Sequence, residues 1–188
     1  MGFGKHLEEL QIISDKGGLR AYFNEHLLDL DYNKSVKVYV SGLMTDFAYD
    51  RGNKLMSVLF SEVLERVRIK DFSEIGDFIS LKDMGDVFLW MCGFFPEHVI
   101  DKNRNRPRFL LTLEDYMNYG KTAYFNASIL FRDKEIPIRE ISRNFSWVAH
   151  SILNMRERMN PDLKYLLHEE TVTEIERVFN DSHPILGG

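Results

Sequence analysis

Between Met84 and Phe95 the chain reads M-G-D-V-F-L-W-M-C-G-F-F, and Val87 through Cys92 are apolar without interruption. Wound as a helix, such a run is apolar on every side. That suits the interior of a bundle rather than its surface. Ser80, with Asp83 three residues on, forms a helix-start signal before it. Pro96 is a stop after it. The run is shorter than the about 20 apolar residues needed to cross a bilayer. The pattern predicts a central helix over residues 84–95, with Val87, Phe88, Met91 and Phe95 buried.

The remaining hydrophobic positions mark further helices. Leu7, Leu10 and Ile13 suggest a short first one, ended at Gly17-Gly18. Leu19 to Leu30 carries Tyr22, Phe23, Leu27 and Leu30 on one stripe. Ser35 to Tyr49 is ambiguous, because Val36, Val38 and Val40 alternate as in a strand. The helical period covers more residues there (Val36, Tyr39, Val40, Leu43, Met44 and Phe47), and a lone strand would have no partner. It is assigned to a helix. Lys54 to Ile69 is amphipathic, and Ser73 caps a short helix through Ile75, Phe78 and Ile79. Thr112 and Asp115 open a helix to about Phe131, with Tyr116, Gly120, Ala123 and Ala127 on one face. Small residues there admit a close neighbour, and Gly93 is the expected meeting point. Pro137 suits a first turn. The helix after it should run to Met159 with Ile138, Ile141, Phe145, Val148, Ile152, Met155 and Met159 inward. Leu163–His168 and Thr171–Phe179 are two last helical pieces. No repeat, low-complexity segment or linker divides the chain. The expectation is one all-α domain over residues 1–188, an irregular bundle of about seven to nine helices.

Composition narrows the function classes. A hydrophobic share of 44% and 14 Phe among 188 residues supply a real core. The formal net charge of -5 argues against a general DNA binder, which needs a basic surface. The single Cys excludes an internal disulfide and a Cys-rich zinc cluster. No secretory leader stands out at the N-terminus, and His6 occupies the position where a myristoylation signal wants Ser or Thr. The expected setting is cytoplasmic, without membrane contact.

Several residue groups carry candidate chemistry. Gly120-Lys121-Thr122 spells the end of a phosphate-binding loop, but Asp115 stands where that loop needs its earlier Gly, and Thr112 opens a helix instead of following a strand. No Glu-x-x-His or His-x-x-x-His spacing appears, so neither metal nor cofactor is expected. Lys102, Arg104, Arg106 and Arg108 form one basic loop, read first as solvated and second as a site for an acidic partner or phosphate. Asp86 is the charge set into the start of the apolar helix. A buried carboxylate there must be capped, paired or near water. The helix dipole gives it a structural role. With Tyr116, Tyr119 and Tyr124 it could also form the polar base of a ligand pocket. Arg143 and His150 are seven positions apart, two turns along one helix face. Arg139, Ser146, Trp147 and Asn154 share that face, opposite Ile141 and Val148. Trp147 implies that a second helix or subunit covers it.

Two resemblances add to this. Gly85-Asp86, Gly93-Phe94-Phe95-Pro96-Glu97 and Tyr116-x-x-Tyr119-Gly120-Lys121-x-Ala123-Tyr124 resemble a bacterial all-helical family, which brings no activity with it. Arg143-Asn144, five further residues and His150 resemble the Arg-to-His motif of the HEPN ribonucleases, which are dimeric helical bundles. That resemblance implies a metal-independent nuclease, with His150 as acid and base at the ribose 2′-hydroxyl and Arg143 on the phosphate. The residues themselves favour a protein that binds rather than catalyses. Its partner would be another protein, a second copy meeting it through the Trp147 face, or an apolar small molecule.

Overall fold

The computed structural model describes residues 15–49, 78–97, 112–130 and 137–164, all in helices and short connections. Helix α1 spans Lys16–His26, a 3-10 turn Leu28–Leu30, α2 Lys34–Tyr49 and α3 Phe78–Phe94. Helices α4, α5 and α6 follow at Leu113–Leu130, Ile138–Arg143 and Phe145–Arg158. The protein is all-α, and no strand occurs among the described residues.

Helix α3 packs most extensively against α4 and next against α6, while α1 pairs with α2. Every side chain from Met84 to Phe95 is buried, Val87, Phe88, Met91 and Phe95 among them. The helix begins earlier than the apolar run suggests. Ser80 lies within it, not at its cap, and Phe78 and Ile79 belong to the same helix rather than to a separate one. Pro96 follows the end at Phe94, as its missing N–H requires.

Segment 35–49 is helical, and Val38 shows why the alternation misleads. Val36 and Val40 are buried one turn apart, whereas Val38 is exposed. Gly17 and Gly18 do not end a helix. They sit in the first turn of α1, where the Asp15 carboxylate accepts a hydrogen bond from the Gly17 N–H at 3.2 Å. The stretch 19–30 is not continuous either, because Leu27 (φ -79°, ψ 57°) breaks it before the 3-10 turn.

Helix α4 starts as its sequence dictates. The Thr112 N–H donates to Asp115 Oδ2 at 2.6 Å, and the Asp115 N–H donates to Thr112 Oγ1 at 3.2 Å, a reciprocal capping box. Tyr116, Gly120, Ala123 and Ala127 face inward. Their meeting point is not Gly93. A Cβ at Gly120 would run into Phe145 of α6 and lie 2.8 Å from Phe88 Cβ of α3. Gly85 is the α3 residue that admits α4, since a Cβ there would press into the Tyr124 ring. Gly93 turns to α6 instead, and a Cβ there would meet Ile152 Cβ at 2.8 Å.

The predicted helix from Pro137 to Met159 is interrupted at Asn144 (φ -117°, ψ 26°). The ladder nevertheless crosses it, with Asn144 N–H donating to Glu140 O and Val148 N–H to Asn144 O. The inward stripe therefore stays in phase, and all seven of its residues from Ile138 to Met159 are buried. The helices expected at residues 7–13, 54–69 and 171–179, the start of the one capped by Ser73, and the basic loop 102–108 lie outside the described residues; of the piece expected over 163–168, residues 163 and 164 are described and helical.

Replacing Gly120 by Ala should destabilise the protein by about 1–3 kcal/mol through overpacking. Helix propensity alone would favour Ala by about 1 kcal/mol. Met91→Ala should cost about 2–5 kcal/mol. Chemical denaturation, with exposed Lys121→Ala as reference, checks both. An unchanged midpoint for Gly120→Ala would mean that Phe145 does not press on this position.

Candidate functional site

Asp86 is buried on α3, and its carboxylate collects three donors. Tyr124 Oη of α4 and Tyr39 Oη of α2 both donate to Oδ1 at 2.5 Å. Lys82 Nζ, one turn earlier on α3, donates to Oδ2 at 2.5 Å. The Lys82 ammonium also lies 5.7 Å from the centroid of the Tyr39 ring. Helices α2, α3 and α4 each contribute one donor.

Burial pushes the Asp86 carboxyl above its ordinary value, opposed by Lys82 and the two phenols. All three contacts deliver a hydrogen to the carboxyl, the arrangement suited to its ionised form. Burial pulls Lys82 down, but Asp86 and Asp83 together more than offset this and hold its ammonium above its usual value. Tyr39 and Tyr124 are raised well above theirs, first by burial and then by the charge on Asp86.

Of the tyrosines grouped with Asp86 from sequence, only Tyr124 reaches it. Tyr116 and Tyr119 pack ring to ring on Phe88 instead, with centroids 5.6 and 5.9 Å away. Phe88 is two residues past Asp86, on the far side of the same helix. Lys82 carried a readable signal, being four residues before an acid in a helix. Tyr39 had none, since it lay on an apolar stripe and 47 residues away. The cluster joins helices, and three protein donors occupy the carboxylate that was to anchor a ligand.

Arg156 is a second buried charge that the pattern did not reveal. Its guanidinium donates to the Phe94 carbonyl at 2.5 Å and to Glu97 Oε1 at 2.6 Å. It thereby satisfies an orphan carbonyl at the end of α3, where the helix dipole favours a cation.

The other candidate site lies on the outside of α5 and α6. Arg139, Arg143, Ser146, Trp147 and His150 are all exposed. Because the ladder crosses Asn144, Arg143 and His150 do share a face, about 10 Å apart along the axis. Among the described residues, Arg139, Arg143 and His150 make no hydrogen bond or ion pair. Asn154 is committed, donating to Asp29 Oδ2 at 3.1 Å.

Trp147 does not gain the helix cover expected for it. It is 38% exposed and meets Tyr32 edge-on, with centroids 4.9 Å apart. Tyr32 is itself 66% exposed, on the connection before α2. Its hydroxyl is raised in pKa by burial and by the nearby charge of Glu140. No group of three metal-ligating side chains forms among the described residues, and no helix among them is long and apolar enough to cross a membrane.

The raised hydroxyls and thiol define a pH dependence. The unfolded chain ionises its phenols near 10.0, while Tyr39, Tyr116 and Tyr124 stay protonated higher when folded. Cys92, ordinarily near 9.0, is pushed up to about 12 by burial. The folded state thus binds more protons, and stability falls as pH rises above about 9. Melting temperature across alkaline pH should decline steeply in the wild type. The double variant Tyr39→Phe, Tyr124→Phe should decline less. Parallel curves would show that these phenols ionise alike in both states.

Comparison with protein-family models, with curated proteins and with solved structures finds no match, so the functional reading rests on these side chains.

Proposed function

We propose that this protein acts by binding another protein through the surface centred on Trp147 and Tyr32, and not by catalysis. The exposure of Trp147 carries this reading. Of the two tryptophans, Trp90 is 1% exposed and stacked on Phe94 and Phe47, whereas Trp147 presents much of its ring to solvent. An aromatic pair with arginines beside it is the composition of an interface centre, where Trp, Tyr and Arg supply most of the binding energy. The buried Asp86 cluster gives less support to an apolar small-molecule carrier, since its polar groups are engaged with one another. The proposed setting is cytoplasmic, supported by the lone buried thiol of Cys92.

One observation favours a second reading, a metal-independent ribonuclease. Arg143 and His150 share an exposed face and are uncommitted among the described residues. His150 would then shuttle the proton of a ribose 2′-hydroxyl, and Arg143 would hold the phosphate. The acidic net charge of -5 weighs against a polyanionic substrate.

A photo-crosslinking residue at Ser146, in cells, should give protein adducts, while the same residue at exposed Thr122 on α4 should give none. Absence of adducts at Ser146 would count against the interface. Purified wild type incubated with mixed RNA in the absence of metal should leave it intact. Cleavage lost in His150→Ala, with the fold retained, would establish the nuclease instead.

A further inference from the structure

We infer that the Lys82–Asp86 contact is an acid-operated latch: a proton taken up at Asp86 Oδ2 frees the Lys82 ammonium to the surface while α2, α3 and α4 stay joined. This device belongs to the Asp86 cluster and is independent of the Trp147 surface.

The two oxygens of the carboxylate are held in different ways. Oδ1 accepts from Tyr39 and Tyr124, hydroxyls carried by two other helices. Those contacts fill its two lone pairs. Oδ2 has Lys82 as its partner among the described residues, four positions earlier on the same helix. The Tyr124 side is sealed, with that residue 0% exposed, whereas the Lys82 side chain is 30% exposed. A proton from solvent therefore enters on the Lys82 side and finds its free lone pair at Oδ2.

Protonation changes the two oxygens unequally. A hydroxyl at Oδ2 has no charge to hold an ammonium and brings a donor of its own against Lys82. Oδ1 becomes the carbonyl oxygen of a neutral acid and still accepts from both phenols. The charge on Asp86 is cancelled rather than stranded. Lys82 has a second partner ready, since Asp83 Oδ1 already lies 3.5 Å from its Nζ.

Among the described residues, the groups acting on Asp86 are Lys82 of α3, Tyr39 of α2 and Tyr124 of α4, and Asp83 acts in turn on Lys82 and Tyr39. Burial holds the Asp86 carboxyl above the 3.8 usual for an aspartate, against the opposing effect of these donors. A carboxyl raised in this way binds its proton more readily folded than unfolded, so this step favours the folded state as pH falls. Release of Lys82 does not require the helices to part.

Nuclear magnetic resonance of the intact chain across acidic pH tests the latch. Asp86 Cγ should titrate with a midpoint above 3.8. At that midpoint the through-space contact between the Lys82 side chain and the Tyr39 ring, over which its ammonium lies, should be lost. Contacts of the Tyr124 ring with Gly85 and with the Tyr39 ring should persist. Lys82→Met, shown to be folded by circular dichroism, should move the Asp86 midpoint upward, because the cation opposes protonation. A Lys82–Tyr39 contact that survives below the midpoint would overturn the latch. Loss of the Tyr124–Gly85 contact at the same midpoint would also overturn it, since the joint would then open as a whole. An Asp86 that stays ionised down to acid unfolding would remove the trigger. An unchanged midpoint in folded Lys82→Met would show that Lys82 is not what holds Oδ2.

Discussion

A carboxylate set into the most apolar helix of the chain imposes a condition that the rest of the fold has to meet. Asp86 cannot be satisfied within α3 alone, where Lys82 reaches one of its oxygens. The other oxygen takes its hydrogens from α2 and α4. Breaking a buried ionic contact by removing one partner strands the other, so these side chains stand or fall as a set. The polar cluster specifies which helices surround α3, a task that non-directional apolar packing performs less strictly.

Close approach is the second requirement, and glycine meets it. Tyr124 reaches Asp86 because its ring lies over Gly85, where a side chain would block it. Phe145 and Phe88 close on Gly120, and Ile152 on Gly93. The Gly and aromatic positions of these helices have packing roles here. A repeated pattern of this kind can therefore signal how helices meet, with no bearing on chemistry.

Much of this was legible from side-chain periodicity. The inward stripe from Ile138 to Met159, the capping box at Thr112 and the small face of α4 each follow from local rules, and each is present. What failed was what depends on tertiary context. Ser80 looks like a cap but lies inside α3, which already begins at Phe78. Gly93 was paired with the wrong helix, since spacing along one strand of sequence says nothing about which neighbour faces it. Tyr39 was invisible as a partner of Asp86 because its position reads as core. Trp147 was expected under a second helix or a second subunit, and among the described residues it is Tyr32, on a connecting turn, whose ring meets it.

The Asp86 contacts also bear on the order of folding. Its phenol donors come from 47 residues before it and 38 residues after it, whereas Lys82 is one turn away. A local helix forms in about a microsecond or less, whereas collapse of a chain of about 100 residues takes up to about 10–100 microseconds. Until α2 and α4 arrive, Asp86 is better served by water than by protein. Nascent α3 therefore keeps one hydrated side along an otherwise apolar cylinder. Expelling that water becomes possible only when both tyrosines are in place, which ties the docking of two distant helices to a single late dehydration step.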